Sequence, residues 1–151
     1  MFSKISIAAI GKTTKDFQEI ENHYLKQIKT KISFNLYQPL SHMSKEEQIE
    51  KESLLLFKQK SDSEFVITLD KEGKEFSSEE FTKKLSGWSL DYKSLKFIIG
   101  GSHGLSEELK KSSNFIFSFS KLTMPHQIAR IILLEQLFRS ESILLCAKYH
   151  K

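Results

Sequence analysis

Residues Phe97–Ser106 read FIIGGSHGLS, and this stretch holds three of the six glycines in a chain of 151 residues. An apolar run, a glycine-rich turn and a polar segment from Ser106 are typical of a strand that leads into a helix. Glycine lets the main chain approach a ligand closely, and open α/β sheets bind ligands where such turns follow strands. The stretch therefore predicts an α/β sheet with a glycine turn at one edge.

The rest of the chain alternates between apolar patterns of period two and period 3.6, which indicates alternating strands and helices. Strands are predicted at KISIAAIG from Lys4, SFNLYQPL from Ser33, EFVITLD from Glu64, SLKFIIGG from Ser94 and FIFSFS from Phe115. Helices are predicted after Asp16, after Ser44, and within SSEEFTKKLSGW from Ser77, LSEELKKSSN from Leu105 and MPHQIARIILLEQLFRSESILL from Met124. The predicted fold class is α/β, with a parallel sheet of about five strands and helices on both faces.

Several local signals make this prediction more detailed. Capping boxes are predicted at Asp16 with Glu19 and at Ser44 with Glu47. The residues predicted to line one apolar face of the first helix are Phe17, Ile20, Tyr24 and Ile28. The segment KEGKEF predicts a polar turn around Gly73. The last helix is apolar nearly all round, which predicts its burial.

The composition, 39% hydrophobic and 28% charged, is that of a soluble globular protein. No apolar run approaches the roughly 20 residues that cross a bilayer, and the N-terminal segment is too polar after Ile10 for a signal sequence. Cys146 is the only cysteine, which excludes an intramolecular disulfide and a thiolate metal cluster. We expect one domain over residues 1–151, in the cytoplasm, with no membrane contact and no metal.

The positive charge is unevenly distributed along the chain, whose net charge is +4. Between Leu109 and Leu134 there is no acidic residue, and the basic residues there are Lys110, Lys111, Lys121 and Arg130. A local excess of this kind attracts polyanions. By itself it favours nucleic acid only weakly.

Two familiar nucleotide sites do not match the glycine turn. A P-loop requires Lys and Ser or Thr after its last glycine, but Leu105 and Ser106 follow Gly104. A dinucleotide site requires an acidic residue about 20 positions further on, and none lies between Glu108 and Glu135. Two interpretations remain, a purely structural turn and a loop that binds a nucleoside through its main chain.

The position of two other segments bears on this choice. The carboxyl ends of neighbouring parallel strands lie at the same edge of a sheet. Leu69-Asp70, Gly100-Gly101 and the segment Phe119–Met124 each follow a predicted strand. We therefore expect these three segments to meet at one pocket.

The sequence resembles a known family over essentially its whole length. The stretches FIIGGSHGLS, SFSKLTMPHQIARIILLEQLFR from Ser118 and the terminal YHK are similar to the SPOUT-class 23S ribosomal RNA pseudouridine N3-methyltransferases. The resemblance implies a deep trefoil knot in the C-terminal half and a homodimer. It also implies S-adenosylmethionine as cofactor and a pseudouridine of 23S rRNA, in the assembled ribosome, as substrate.

The resemblance also implies roles for particular residues. The cofactor contacts that it implies are Leu69, Gly100, Gly101, Phe119, Ser120, Lys121, Leu122, Thr123 and Met124. In the family the C-terminal tail closes over the active site, so that Tyr149 stacks on the target base and His150 assists the proton or binds phosphate. These two residues and Arg139 are the catalytic candidates.

The remaining candidates each have two interpretations. Glu135 and Arg139 form an i,i+4 pair on an apolar helix face, and they either bridge a dimer interface or place Arg139 against RNA or the bound nucleoside. His126 lies at a helix N-terminus, where the dipole disfavours its charged form, and it either accepts a hydrogen bond or proton or only shapes the turn. His103 lies in the pair of the glycine loop that varies among members of the family that the chain resembles, and it is either a catalytic residue or, as we expect, a loop residue that faces solvent.

Two rival functions are compatible with the same residues. One is a non-catalytic ribosome-binding or assembly factor that keeps the knot as a binding surface. The other is a methyltransferase of the same fold that acts on transfer RNA, against which the absence of an appended RNA-binding domain argues.

Overall fold

Five parallel strands form one sheet in the computed structural model, which describes residues 2–58 and 61–145. They are β1 (Lys4–Ile10), β2 (Ile32–Tyr37), β3 (Glu64–Glu75), β4 (Ser94–Ile99) and β5 (Phe115–Ser118). Their spatial order is β2-β1-β4-β3-β5, and neighbouring strands pair in parallel. Every residue of the central strand β4 is buried, as expected for a strand covered on both faces.

Helices cover both faces of this sheet, as the sequence predicts. The helices are α1 (Lys15–Leu25), α2 (Lys45–Phe57), α3 (Ser78–Asp91), α4 (Glu107–Ser112) and α5 (His126–Leu144). One apolar core joins the sheet to α3 and α5, with Phe81, Leu85 and Leu133 fully or almost fully buried. A second core on the other face includes Leu56 of α2 and Leu109 of α4. None of the helices within residues 2–58 and 61–145 is long and apolar enough to cross a membrane.

The predicted start of the first helix is wrong. The N-cap of α1 is Thr14, whose side chain makes no capping hydrogen bond, and Asp16 lies in the first turn. The main-chain N–H of Thr14 donates instead to Oε1 of Gln127 at 2.8 Å. A side chain from α5 therefore accepts the N–H of the N-cap residue, the role that the predicted capping box gave to Glu19.

The predicted apolar face of α1 is also only partly correct. Ile20 is 44% exposed, and Ile28 is buried but lies beyond the end of the helix. The buried residue of this helix is an acid, Glu21. It is buried because it pairs with a basic residue of α5, a contact that periodicity does not reveal.

The polar turn predicted around Gly73 is absent, because β3 continues to Glu75. The pairing of β3 with β5 shifts register between Leu69 and Lys74, so that both residues face Phe117. A Cβ at Gly73 would lie 2.7 Å from the main-chain carbon of Phe117. Glycine at this position thus lets two strands approach each other closely, which is a common use of glycine within sheets.

The start of α2 agrees with the sequence prediction. Ser44 is the N-cap, and its Oγ accepts the N–H of Glu47 at 3.2 Å. Leu56 is fully buried on this helix, whereas Ile49 and Phe57 are half-buried.

Candidate active site

The carboxyl ends of β3, β4 and β5 open into one cleft of about 640 Å³. It is lined by residues 69–71, 99–105, 117–120 and 122–126 and by Ala129. The pairing register explains this convergence, because Leu69 is paired with Ile99 in β4 and with Phe117 in β5. A cleft of this size accommodates a nucleoside-sized ligand.

The structure brings together most of the residues implied as cofactor contacts. Those that line the cleft are Leu69, Gly100, Gly101, Phe119, Ser120, Leu122, Thr123 and Met124. Lys121 is exposed and does not line it. The predicted meeting of three segments is therefore confirmed, whereas contact of these residues with a cofactor stays a prediction.

The glycine loop between β4 and α4 is tightly folded. Gly101 and Gly104 form an isolated antiparallel bridge, and Gly104 has a φ of +83°. A Cβ at Gly100 would lie 2.8 Å from Cγ of Leu105, and one at Gly101 would lie 3.0 Å from Oε1 of Glu52. The loop thus needs glycine for its own conformation and also lines the cleft, so the structural and the ligand-binding interpretations are compatible.

Helix α2 supports this loop from behind. Oγ of Ser53 accepts the N–H of Ser106 at 2.9 Å, and Glu52, 1% exposed, accepts the N–H of Leu40 at 2.9 Å. The second carboxylate oxygen of Glu52 is buried without a hydrogen-bond partner among the described residues. The sequence prediction did not single out Glu52 or Ser53. Two adjacent polar residues on the buried face of α2 were the available signal.

The segment after β5 is held by its own hydroxyl groups. The hydroxyl of Ser118 lies 2.9 Å from the carbonyl oxygen of Ser120 and 3.3 Å from that of Lys71. Oγ of Ser120 in turn accepts the N–H of Leu122 at 3.0 Å. Because Leu122 is 75% exposed, it stands at the rim of the cleft.

Not all of the basic residues between Leu109 and Leu134 are unpaired and exposed at the surface. Nζ of Lys110 lies 3.0 Å from Oδ2 of Asp70 and 3.3 Å from Oε1 of Glu107. Burial lowers the pKa of Lys110, but the hydrogen bonds and charges of these two acids outweigh burial, and the pKa is raised overall. Arg130 is fully buried in an ion pair with Glu21. Lys111 and Lys121 therefore remain as the exposed cations of this segment.

His126 lies in the cleft wall at the start of α5. Its Nδ1 is buried without a hydrogen-bond partner among the described residues. Burial lowers the pKa of His126, the charge of Arg130 lowers it further, and Glu21 opposes both. The predicted preference for the neutral imidazole is therefore confirmed, although burial and Arg130 cause it.

The ion pair predicted on α5 is present. Nη2 of Arg139 donates to Oε1 of Glu135 at 2.5 Å, and its Nε does so at 3.0 Å. Arg139 does not line the cleft. On the same helix face Ile128 is 36% exposed, and Ile131 and Ile132 are half-buried, so the burial predicted for all of α5 is incomplete.

The other candidates are placed as follows. Tyr149, His150 and Cys146 lie outside the described residues. His103 is exposed in the glycine loop, as expected. Phe76, for which the resemblance left a role at the mouth of the pocket open, does not line the cleft but stacks on Phe115 and Phe117. Within residues 2–58 and 61–145, no group of three or more His, Cys, Asp or Glu side chains is arranged to hold a metal ion.

Comparison with known proteins identifies the class to which this fold and cleft belong. The model of the family described as "Predicted SPOUT methyltransferase" matches residues 3–150. The chain belongs to the SPOUT methyltransferase family.

Its relatives carry a more particular name. A protein of Dictyoglomus thermophilum named "Ribosomal RNA large subunit methyltransferase H" is 41% identical over 150 residues, which are 97% of this chain and 98% of that one. Proteins of the same name from Clostridium botulinum strain 657 and from Acholeplasma laidlawii are 40% and 41% identical. Each alignment covers at least 97% of this chain and 99% of the relative.

A solved structure shows the same fold. The chain resembles a probable methylase family protein from Haemophilus influenzae Rd KW20 with a TM-score of 0.57 at 12% identity. The match covers 100% of this chain and 72% of that one.

Proposed function

We propose that this protein transfers a methyl group from S-adenosylmethionine to N3 of a pseudouridine in 23S rRNA of the assembled ribosome. Membership of a methyltransferase family and three relatives named for large-subunit ribosomal RNA support the reaction class and the type of substrate. The observation that carries the proposal is the cleft in which three strand-end segments meet.

The lining of the cleft fits an adenosyl group. Leu69, Phe119 and Met124 offer apolar surface, and Gly100 and Gly101 expose main-chain polar atoms without side chains that would intervene. We propose that these residues, with Ser120, Leu122 and Thr123, hold the cofactor, and that Lys121 contributes from outside the cleft. The cofactor supplies a methyl group activated by a sulfonium. The chain itself supplies position and a dry environment.

Removal of the N3 proton requires an acceptor near the target base. We propose that His150 accepts the proton or binds phosphate and that Tyr149 stacks on the base, since aromatic side chains commonly hold unstacked RNA bases. Arg139 lies about 20 Å along the helix axis from His126, at 1.5 Å per residue. It is therefore proposed to act on RNA or on the site of a second copy rather than on the cleft of its own chain.

We further propose that the C-terminal half forms the trefoil knot and that the protein is a homodimer. The half-buried face of α5, with Ile128, Ile131 and Ile132 around the Glu135–Arg139 pair, supports a second copy as its partner. A core-like patch that carries one internally satisfied ion pair suits an interface between identical chains.

The proposed reaction is tested with intact ribosomes that lack the modification and with cofactor labelled in its methyl group. We expect label in 23S rRNA at a pseudouridine, mapped by nuclease digestion and mass spectrometry. Label in transfer RNA and none in ribosomes would favour the second methyltransferase function. Calorimetry that detects no binding of S-adenosylmethionine would favour a non-catalytic ribosome-binding factor.

A further inference from the structure

A buried ion pair links α1 to α5 behind the cleft. Arg130 has no exposed side-chain surface, and its Nε donates to Oε1 of Glu21, which is 8% exposed as a side chain. Both terminal nitrogens of Arg130 are buried without a hydrogen-bond partner among the described residues. The centroid of the Phe34 ring lies 5.8 Å from the guanidinium carbon of Arg130. A positive charge is therefore held in the protein interior.

Such a pair is costly if it serves stability alone. Taking two charges out of water costs several kcal/mol per ion, and well-packed apolar residues of similar volume often stabilise a protein as well or better. The unpartnered guanidinium nitrogens add to this cost. We therefore expect the pair to act on a neighbouring group.

That neighbour is His126, one helical turn before Arg130 on α5 and itself part of the cleft wall. The imidazole is confined on its other side by Gly11, whose φ is +108° and whose position leaves no room for a Cβ beside the ring. Nδ1 of His126 is buried, with no hydrogen-bond partner in the part of the chain that the structure describes. Gly11 thus leaves the space that the imidazole occupies in the wall, and the charges of Arg130 and Glu21 act on that ring.

The charge of this imidazole matters because of the ligand that the cleft is proposed to bind. S-adenosylmethionine carries a full positive charge on sulfur, which S-adenosylhomocysteine lacks. An imidazolium in the wall of a partly desolvated cleft repels such a charge, whereas a neutral imidazole does not.

We propose that His126 contacts the cofactor as a neutral imidazole and that the Glu21–Arg130 pair is a positioning element that keeps it in this place and state. Protonation of His126 then weakens the binding of S-adenosylmethionine selectively. The inference rests on the proposed function, because it requires this cofactor in the cleft.

Several other charged groups lie near His126 and are alternative sources of a pH dependence of cofactor binding. From α5 it faces Arg130, from α1 Glu21, and beyond Gly11 the chain continues with the exposed Lys12. Across the cleft lie Asp70, which is paired with Lys110, and the exposed residues Lys71 and His103. The other histidine of the cleft lining is His103. Burial and Arg130 lower the pKa of His126, which keeps it neutral at pH 7.

The test measures the dissociation constants of S-adenosylmethionine and S-adenosylhomocysteine by calorimetry between pH 5 and pH 7. In the wild-type protein we expect the constant for S-adenosylmethionine to rise about tenfold at the acid end, an effect of the size produced by one repulsive charge. The constant for S-adenosylhomocysteine is expected to change less than about twofold, because the sulfonium charge is absent.

Three variants identify the residue whose protonation weakens the binding of S-adenosylmethionine at low pH, here called the acid effect. His126→Gln keeps a hydrogen-bond acceptor and does not titrate, so its affinity for S-adenosylmethionine is expected to be independent of pH in this range. His103→Gln and His23→Gln, which remove a cleft histidine and an exposed histidine of α1, are expected to keep the acid effect. The inference is overturned if His126→Gln shows the wild-type acid effect, or if His103→Gln loses it.

The contribution of the ion pair is tested by the double variant Glu21→Gln with Arg130→Met. It removes both charges and so avoids an unpaired buried ion. Because Arg130 affects His126 more than Glu21 does, the acid effect is expected to begin at higher pH than in the wild type. An unchanged midpoint in a folded double variant, checked by circular dichroism, contradicts the role of the pair.

A failure of the proposed function gives a different result. If the wild-type protein binds neither ligand at pH 7, the cofactor assignment is wrong. If it binds both ligands and His126→Gln behaves as the wild type, the cofactor assignment stands and the present inference fails.

Discussion

Leu69 of β3 is paired with Ile99 of β4 on one side and with Phe117 of β5 on the other. The segments that follow these three residues therefore leave the sheet at the same level and line one cleft. Because the cleft depends on main-chain register, its properties are tested most directly by substitutions that alter the main chain.

Gly101→Val is expected to abolish detectable cofactor binding. A Cβ at Gly101 would lie 3.0 Å from Oε1 of Glu52 and 3.1 Å from Cγ2 of Ile10, both in closely packed surroundings, so the glycine loop must shift. Calorimetry with S-adenosylmethionine measures the loss. Gly87→Ala is the matched control, since a Cβ there would meet no described residue outside its own helix within 4 Å, and alanine favours the helix by about 0.5–1 kcal/mol. Cofactor binding by Gly101→Val at wild-type affinity would show that the loop is not part of the site.

Gly11 and His126 are expected to be energetically coupled. In Gly11→Ala the new methyl group meets the imidazole, and the positive φ adds strain. His126→Ala removes the ring, so Gly11→Ala should cost at least about 1 kcal/mol less in that background. Urea unfolding of the two single variants and the double variant completes the cycle. Additive costs would mean that only the backbone strain at Gly11 matters.

Stability is expected to fall as the pH decreases from 7 to 5. The pKa of His126 is lowered in the folded protein from the model-peptide value of 6.5, so the unfolded chain binds this proton more tightly. The contribution of His126 to the free energy of unfolding is complete above pH 6.5 and is lost as the pH falls through the pKa of His126 in the folded protein. The free energy of unfolding, measured in urea at each pH, should show a smaller fall in His126→Gln. His23→Gln serves as the control with wild-type pH dependence, and an identical fall in all three proteins would contradict the assignment.

His150→Ala is expected to bind S-adenosylmethionine as the wild type does and to lose turnover on ribosomes. The proposed role of His150 concerns the target base or its phosphate rather than the adenosyl group. Calorimetry reports the first property, and incorporation of labelled methyl groups reports the second. Normal turnover would remove His150 from the mechanism.

Ile131→Glu is expected to convert a dimer into monomers. The substitution places a charge in the half-buried apolar face of α5, where a second copy would have to bury it. Light scattering after size-exclusion chromatography measures the mass. Leu90→Glu is the control, because Leu90 is 88% exposed on a different helix, α3. A wild-type protein that is already monomeric contradicts the proposed dimer.

Much of the fold follows from local sequence. The order of strands and helices, the start of α2 at Ser44 and the glycine loop after β4 depend on periodicity and on the conformational preferences of single residues. The meeting of Leu69, Gly100 and Thr123 was predictable as well, since parallel strands place their carboxyl ends at one edge.

Other features depend on residues that are distant in the chain. The segment around Gly73 has the composition of a polar turn, but in the structure Gly73 lies against the main chain of Phe117. The N-cap of α1 is Thr14 rather than Asp16, and its N–H donates to Gln127 of α5. Neither contact leaves a periodic signal, because the partner lies in another element.

The sequence by itself determined the class of fold, the family and the segments that line the cleft, since these depend on local pattern and motif. Only the tertiary structure decided the environment of the charged groups. Arg130, which the sequence shows only as part of a local basic excess, is buried against Glu21, and burial and the charge of Arg130 lower the pKa of His126 at the cleft wall. The physical reason is that desolvation and pairing are set by what surrounds a group in space, whereas the sequence specifies only its neighbours along the chain.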